Sequence, residues 1–241
     1  MRVKWMNVLR FYEYIQPYLK VSKPIEEKPV GKSVLVLSPH IDDDILGAGG
    51  TLYKHHLDGD KIVSIYLASL NDKDIRQKEG ERAAEIIGID ELIFLDYEIK
   101  KLDLSTKEIS RQIADLLDRY EPDIVYLPFF LDNHNDHIST NKIFLSSLPL
   151  ISKPLSISIY AYEIWSTLFP NVLVDITDQI EVKKQAILEY KSQLLANNYL
   201  EAIIGLNRYR GILSKANGYA EGFFRSTSDG YSNLWRSIYG T

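Results

Sequence analysis

The 241 residues of this chain predict an α/β fold: a Rossmann-like, mostly parallel sheet with helices on both faces. Three observations point there. Short apolar runs rich in β-branched residues recur along the chain, as strands buried on both faces do. Segments with helical periodicity separate the earlier runs at lengths that suit right-handed βαβ units. Two polar clusters, His40-Ile41-Asp42-Asp43 and His134-Asn135-Asp136-His137, each come after such a run, where open α/β sheets bind ligands.

In chain order, residues 1–30 are expected to hold an amphipathic helix and a connector. Trp5, Val8, Tyr12, Ile15 and Leu19 recur at helical spacing beside Arg2, Lys4 and Arg10, a pattern that could lie on an anionic membrane surface. Pro17 limits the helix, so packing on its own domain or on a neighbouring subunit of a homo-oligomer is the preferred reading. Val21 to Lys32, rich in Pro and charge, leads into the main domain, residues 31–225. There Val34 to Leu37, Ile62 to Leu67, Leu92 to Leu95, Ile124 to Leu127, Ile157 to Ala161 and Val172 to Ile176 read as strands. Leu46 to Leu57, Asp74 to Ile87 and Lys107 to Tyr120 read as the helices between them. After Asp178 the chain turns helical, with a long helix expected over Glu181 to Leu195 and another around Leu200 to Leu213. Residues 226–241 read as a polar tail carrying Tyr231, Trp235 and Tyr239, either loosely ordered or folded over the site.

Composition narrows the chemistry. With no cysteine, disulfides, thiolate nucleophiles and cysteine-held metals are excluded, and any metal must sit on His and carboxylates. A formal charge of −5 with mixed signs gives no field favouring nucleic acid. The N-terminus has neither the apolar core of a signal peptide nor a spanning length, so a cytoplasmic location is expected.

His40 and Asp43 lie three residues apart, as do His134 and His137, so a turn or first helical turn projects each pair to one side. The two pairs could converge on one ion, with Asp42 beside it where a water-activating base belongs. One Asp suffices to cap the helix that follows, whereas Asp42, Asp43 and Asp44 side by side repel one another unless a cation offsets them. Gly47-Ala48-Gly49-Gly50 lacks the spacing of a phosphate loop and reads instead as close helix–sheet approach. His55 and His56, on the same predicted helix but past the strand mouth, are expected at the surface.

These residues resemble the zinc-dependent N-acetylglucosaminyl deacetylases of the PIG-L/LmbE type. That family carries a Pro-His-Pro-Asp-Asp-Glu-like sequence after its first strand and His-Pro-Asp-His after a later one, against Pro39-His40-Ile41-Asp42-Asp43-Asp44 and His134-Asn135-Asp136-His137 here. The likeness continues through Gly47 to Leu52, Arg76 and Glu79, Pro122 to Val125, Val174 to Ile176 and Tyr219 to Phe223. Ile41 and Asn135 stand in place of Pro, Asp44 in place of Glu, and Ser69-Leu70-Asn71-Asp72 in place of a Gly-containing loop that often borders the substrate.

The resemblance implies an LmbE-like fold, a small-molecule N-acetyl amino-sugar substrate, and a Zn²⁺ cofactor for which Fe²⁺ could substitute. It implies that His40, Asp43 and His137 bind the metal and that Asp42 acts as base. His134 becomes the candidate to face the oxyanion, with Asp136 keeping its imidazole oriented and protonated. Arg76 matches a substrate-side position, but it also reads as an exposed helix residue paired with Glu79, and both readings stay open. Asp132, Arg208 and Glu221 are weaker substrate-contact candidates. Rival readings are a non-haem iron oxygenase, a two-metal phosphoesterase, and an inactive binding module on the same fold.

Overall fold

The computed structural model describes residues 10–11, 13–15, 25–69, 73–195, 198–214 and 217–240. The strands are β1 (Ile25–Glu26), β2 (Ser33–Ser38), β3 (Lys61–Ser69), β4 (Glu91–Glu98), β5 (Ile124–Pro128), β6 (Ser158–Tyr162), β7 (Val172–Asp175) and β8 (Ala220–Thr227). They form one sheet in the order β1-β7-β8-β6-β5-β2-β3-β4. All pairings are parallel except those of β8, which runs antiparallel to both β6 and β7. The helices are α1 (Asp43–Leu57), α2 (Lys73–Ile87), α3 (Thr106–Tyr120), α4 (Asn135–Ser147), α5 (Ile180–Leu188), the short α6 (Lys191–Leu194), α7 (Tyr199–Leu213) and α8 (Ser228–Tyr239).

Period-two alternation divides the core between the two faces of the sheet. On one face Leu35, Leu37, Val125 and Leu127 pack with Ile113 and Leu117 of α3 and Phe144 of α4. On the other, Val34, Val36, Ile124 and Tyr126 pack with Ile45 and Leu52 of α1, Ala83 of α2 and Ala186 of α5. The small residues of α1 allow the close approach read from the sequence: a Cβ on Gly47 would stand 2.3 Å from the Tyr162 ring, and one on Gly50 would stand 2.8 Å from Ile176. β2 lies between β3 and β5, so the strand order reverses beside it, and the crevice at this reversal lies above the carboxyl ends of β2 and β5.

Several expectations are corrected. The connector contributes β1, which pairs with β7 at the far edge of the sheet. β8 escaped notice because Glu221 interrupts its apolar run; that carboxylate is fully buried against Lys183 Nζ at 2.6 Å and accepts from Gly50 N, Thr51 N and Thr51 Oγ. Glu221 is therefore a structural anchor between α1, α5 and the sheet, not a substrate contact. The helix expected over Glu181 to Leu195 breaks after Leu188, and Ser192 then meets Glu79 of α2 through its backbone N (2.9 Å) and its hydroxyl (2.6 Å). The tail is neither loose nor a flap: Ser226 and Thr227 end β8, and Tyr231, Leu234 and Trp235 of α8 are buried in the core beside Phe130.

Of the N-terminal segment, Phe11 and Ile15 also enter that core, with the Phe11 ring edge-on to Phe130 at 6.3 Å. Trp5, Val8, Tyr12, Pro17 and Leu19 lie outside the described residues. Among the described residues no helix is long and apolar enough to cross a membrane.

His55 is buried rather than at the surface, because its position on α1 turns it toward the sheet, where Asp60 lies 2.9 Å from Nδ1 and Tyr126 Oη 3.0 Å from Nε2. Burial, with Lys28 adding, pushes this imidazole down to about 4 in spite of Asp60. Between pH 6.5 and about 4 the unfolded chain therefore binds a proton that the folded chain refuses, and stability is lost as the pH falls through this window. The expected cost is about 3 kcal/mol at pH 4. Urea titrations across the window should show the slope, and His55→Asn should flatten it.

Candidate active site

Two connections over the sheet reversal build the site. β2 ends at Ser38 and α1 starts at Asp43, so residues 39–42 form a tight link in which His40 N donates to Asp43 Oδ2 at 2.9 Å. β5 ends at Pro128, and a short loop leads to His134, which caps α4 with Nδ1 accepting from Asp136 N at 3.2 Å. Because β2 and β5 are neighbours, the two clusters meet although almost a hundred residues separate them.

One oxygen ties them together. Asp43 Oδ2 lies 3.2 Å from His40 Nδ1 and 3.4 Å from His137 Nε2. His134 closes the group, with ring centroids 4.8 Å from His40 and 5.0 Å from His137, and one nitrogen from each of the three rings lies within 4.8 Å of the others. A carboxylate stands behind each of two rings: Asp136 Oδ2 is 3.0 Å from His40 Nε2, and Asp132 Oδ2 is 3.4 Å from His137 Nδ1. Such outer carboxylates orient metal-binding imidazoles and raise their basicity.

The charges follow this geometry. Burial pushes the Asp43 carboxyl up, but the His137 and His40 imidazoles outweigh it and hold the group well below the ordinary carboxylate range. Burial would likewise lower His40 and His137, yet their carboxylate neighbours raise them to about 9 and about 10. Asp42 moves the opposite way from Asp43: burial, with the Asp43 charge adding, pushes it up to about 7, although Arg76 draws it down. Two adjacent carboxyls thus take opposite protonation tendencies, the pattern expected of a ligand beside an acid/base group.

Not every sequence expectation survives. Asp136 does not hold His134 through its carboxylate, which serves His40 and accepts from Lys100 N at 2.7 Å. Its backbone N–H holds the ring instead, because a free amide at a helix start claims the nearest acceptor. His134 is also not kept protonated: burial and the facing His40 and His137 lower its pKa. Asp44 turns away from the cluster into the sheet, accepting from Ile45 N, Ser64 Oγ and Tyr66 Oη. Asp44 therefore turns away from the oxygen that Asp43 presents to the imidazoles.

Arg76, on α2, is buried, and its Nε has no hydrogen-bond partner among the described residues. The exposed Arg76–Glu79 pair is overturned, since Glu79 is itself buried and bonded to Ser192. Arg208 points to the carbonyls of Asn217 and Gly218. Asp132 is more central than a substrate-contact candidate: Oδ1 accepts from His134 N at 3.0 Å, while Oδ2 accepts from Trp165 N at 3.0 Å and faces His137. Its position two residues before His134 was the available signal. Of the loop Ser69 to Asp72, only Ser69 is described, bonded to Asp96.

The donor chemistry fits a divalent cation. Two imidazoles and a carboxylate are a usual catalytic metal set, and among the described residues neither buried nitrogen of His137 makes a hydrogen bond. Each nitrogen faces a carboxylate oxygen at 3.4 Å, Nε2 toward Asp43 and Nδ1 toward Asp132, so Nε2 is placed to share an ion with Asp43.

An open α/β sheet with a His/Asp cluster at its reversal places the fold among the LmbE-like structures. Residues 35–148 match the family described as PIG-L: GlcNAc-PI de-N-acetylase. The chain is 29% identical over 235 residues to the diacetylchitobiose deacetylase of Thermococcus kodakarensis, covering 84% of this chain and 85% of the relative. The fold matches that of the N,N'-diacetylchitobiose deacetylase from Pyrococcus horikoshii, solved with its inhibitor MPG, with a TM-score of 0.72 at 22% identity, covering 95% of this chain and 96% of the other. It also matches GalB, the 4-carboxy-2-hydroxymuconate hydratase of Pseudomonas putida, with a TM-score of 0.69 at 22% identity over 80% of this chain and 95% of that one. The architecture alone therefore does not choose the reaction.

Proposed function

We propose that this chain hydrolyses the N-acetyl group of an N-acetylated amino-sugar conjugate, with His40, Asp43 and His137 holding a zinc or iron(II) ion. The observation that carries the reading is the shared Asp43 oxygen within reach of both imidazoles, with Asp42 next to it in a buried position. Such an ion supplies polarisation of an amide carbonyl and lowers the pKa of water toward about 7. Asp42, raised by burial into the range where it can both take and give a proton, accepts one from the attacking water and passes it to the leaving nitrogen. The acetyl C–N bond breaks as the new C–O bond is completed, so acetate and a free amine leave. His134 accepts at Nδ1 from Asp136 N, so a neutral ring carries its proton on Nε2 and can offer it to the carbonyl oxygen as charge develops there. Arg76 supplies a buried cation on the substrate side, suited to a phosphate or carboxylate of the conjugate.

The test is acetate release from N-acetylglucosamine joined to lipid, inositol, malate or nucleotide, with metal content measured on the same sample. Acetate and amine in equal amounts, at one ion per chain, support the reading. A loaded protein that releases acetate from none of them refutes it. Within this scheme His134→Ala should keep the ion and lose about 10²–10³-fold in turnover. Equal loss of ion and activity would move His134 into the metal set.

A further inference from the structure

We infer that Tyr231 is a positioning residue for His137, acting through Asn141, so that the C-terminal helix α8 belongs to the framework of the active site. This deepens the functional reading above, on which the metal-affinity part of it rests. The link is continuous in distance. Tyr231 Oη donates to Asn141 Oδ1 at 2.7 Å, and Asn141 Nδ2 donates to the carbonyl of Pro128 at 2.9 Å and to that of His137 at 2.8 Å. Tyr231 and Asn141 are both fully buried. One carboxamide thus joins the last residue of β5, the first turn of α4 and α8.

Asparagine is not what the helix or the core asks for at this position. It is a poor residue for a helix interior, and burying its amide costs free energy unless the polar atoms find partners. Here Nδ2 serves two carbonyls and Oδ1 takes the phenol proton, the condition under which a buried polar network fixes one arrangement. An apolar side chain would fill the same core beside Ile143 and Phe144, but it would tie α4 to neither β5 nor α8.

A second phenol holds the start of the same stretch. Tyr239 Oη donates to the carbonyl of Phe130 at 3.0 Å, and the Phe130 ring lies edge-on to Tyr231 and Trp235 with centroids 5.2 and 5.9 Å away. α8 therefore grips the chain just before Asp132 and again, through Asn141, at His137. The setting of His137 matters because its Nε2 stands 3.4 Å from Asp43 Oδ2, an oxygen carried by a different connection. Donors from separate elements share an ion well only when each is held within about 0.5 Å of its place.

The test uses the full chain and two readouts. Amide exchange of the metal-free protein, followed by NMR, reports on α4 without any ion. In Tyr231→Phe, which keeps the ring against Phe130, the amides of His137 and Ile138, bonded to the His134 carbonyl at 3.1 and 3.2 Å, should exchange about tenfold faster, while those of β3 should not change. Zinc affinity, read by competition with a chelating dye, should weaken about tenfold in Tyr231→Phe and about 10–100-fold in Asn141→Leu. Tyr231→Phe should add nothing in the Asn141→Leu background, because the hydroxyl acts through that amide. Ile109→Val, which removes one methylene from the same core, is the control: it should lower thermal stability comparably and leave zinc affinity as it was. Unchanged exchange at His137 and Ile138 overturns the inference, as does a loss of zinc affinity that Ile109→Val reproduces. Faster exchange at those amides, in a chain that binds no zinc even when unaltered, would sink the metal reading and leave the positioning by α8 standing.

Discussion

His137→Ala should abolish bound metal and acetate release together, with activity falling at least about 10³-fold. The reason lies in how His137 is placed. It is fully buried in the first turn of α4, its Nε2 is directed at Asp43 Oδ2, and its Nδ1 faces Asp132 Oδ2 at 3.4 Å. Removing the ring takes away one of the three proposed donors and leaves Asp132 and Asp43 facing each other without the imidazole between them. Metal analysis after exhaustive dialysis, paired with an acetate assay, reads both losses. The same two readouts should fall together when a chelator strips the unaltered protein, and should return on adding zinc or iron(II). A variant that keeps one ion per chain would show that His137 is not a ligand.

Asp42→Asn is the second decisive substitution, because it separates proton transfer from metal binding. The amide keeps the volume and the polarity of the carboxyl but cannot accept the proton of water. The ion should therefore stay at one per chain while turnover drops about 10²–10⁴-fold, with KM little changed. Asp43→Asn provides the contrast: its carboxylate joins the two imidazoles, so that change should cost the ion itself. If Asp42→Asn loses metal as readily as Asp43→Asn, the two carboxyls share the ligand role and the proposed base lies elsewhere.

These predictions separate the roles more sharply than family likeness can, since the same architecture also carries a hydratase. They also bear on the rival readings. Facial-triad oxygenases usually build on antiparallel barrels, whereas here the cluster sits over adjoining parallel strands. A two-metal phosphoesterase would need bridging carboxylates, and Asp44 is instead bonded to Ser64 and Tyr66 on the sheet side.

Much of the molecule was legible before any coordinates. The runs at Val34, Ile62, Leu92, Ile124 and Ile157 mark strands within a residue or a few of their observed bounds, and the helices between the early strands begin and end close to where their periodicity does. The two polar clusters announced a shared site because each follows a strand that a parallel sheet must bring near its centre. These features depend on short-range rules of side-chain period, turn chemistry and handedness, which a linear sequence carries in full.

Only the tertiary structure decided where the buried polar groups find partners. Asp136 serves His40 instead of His134, Asp132 gathers His134, His137 and Trp165, and His55 lies under the sheet between Asp60 and Tyr126. Glu221 accepts from the backbone of Gly50, 171 residues away, and so ties β8 to α1. Periodicity shows that a side chain faces inward but not what awaits it there. The partner is set by how distant segments stack, and a buried charge or imidazole takes whichever acceptor or donor that stacking brings within about 3 Å.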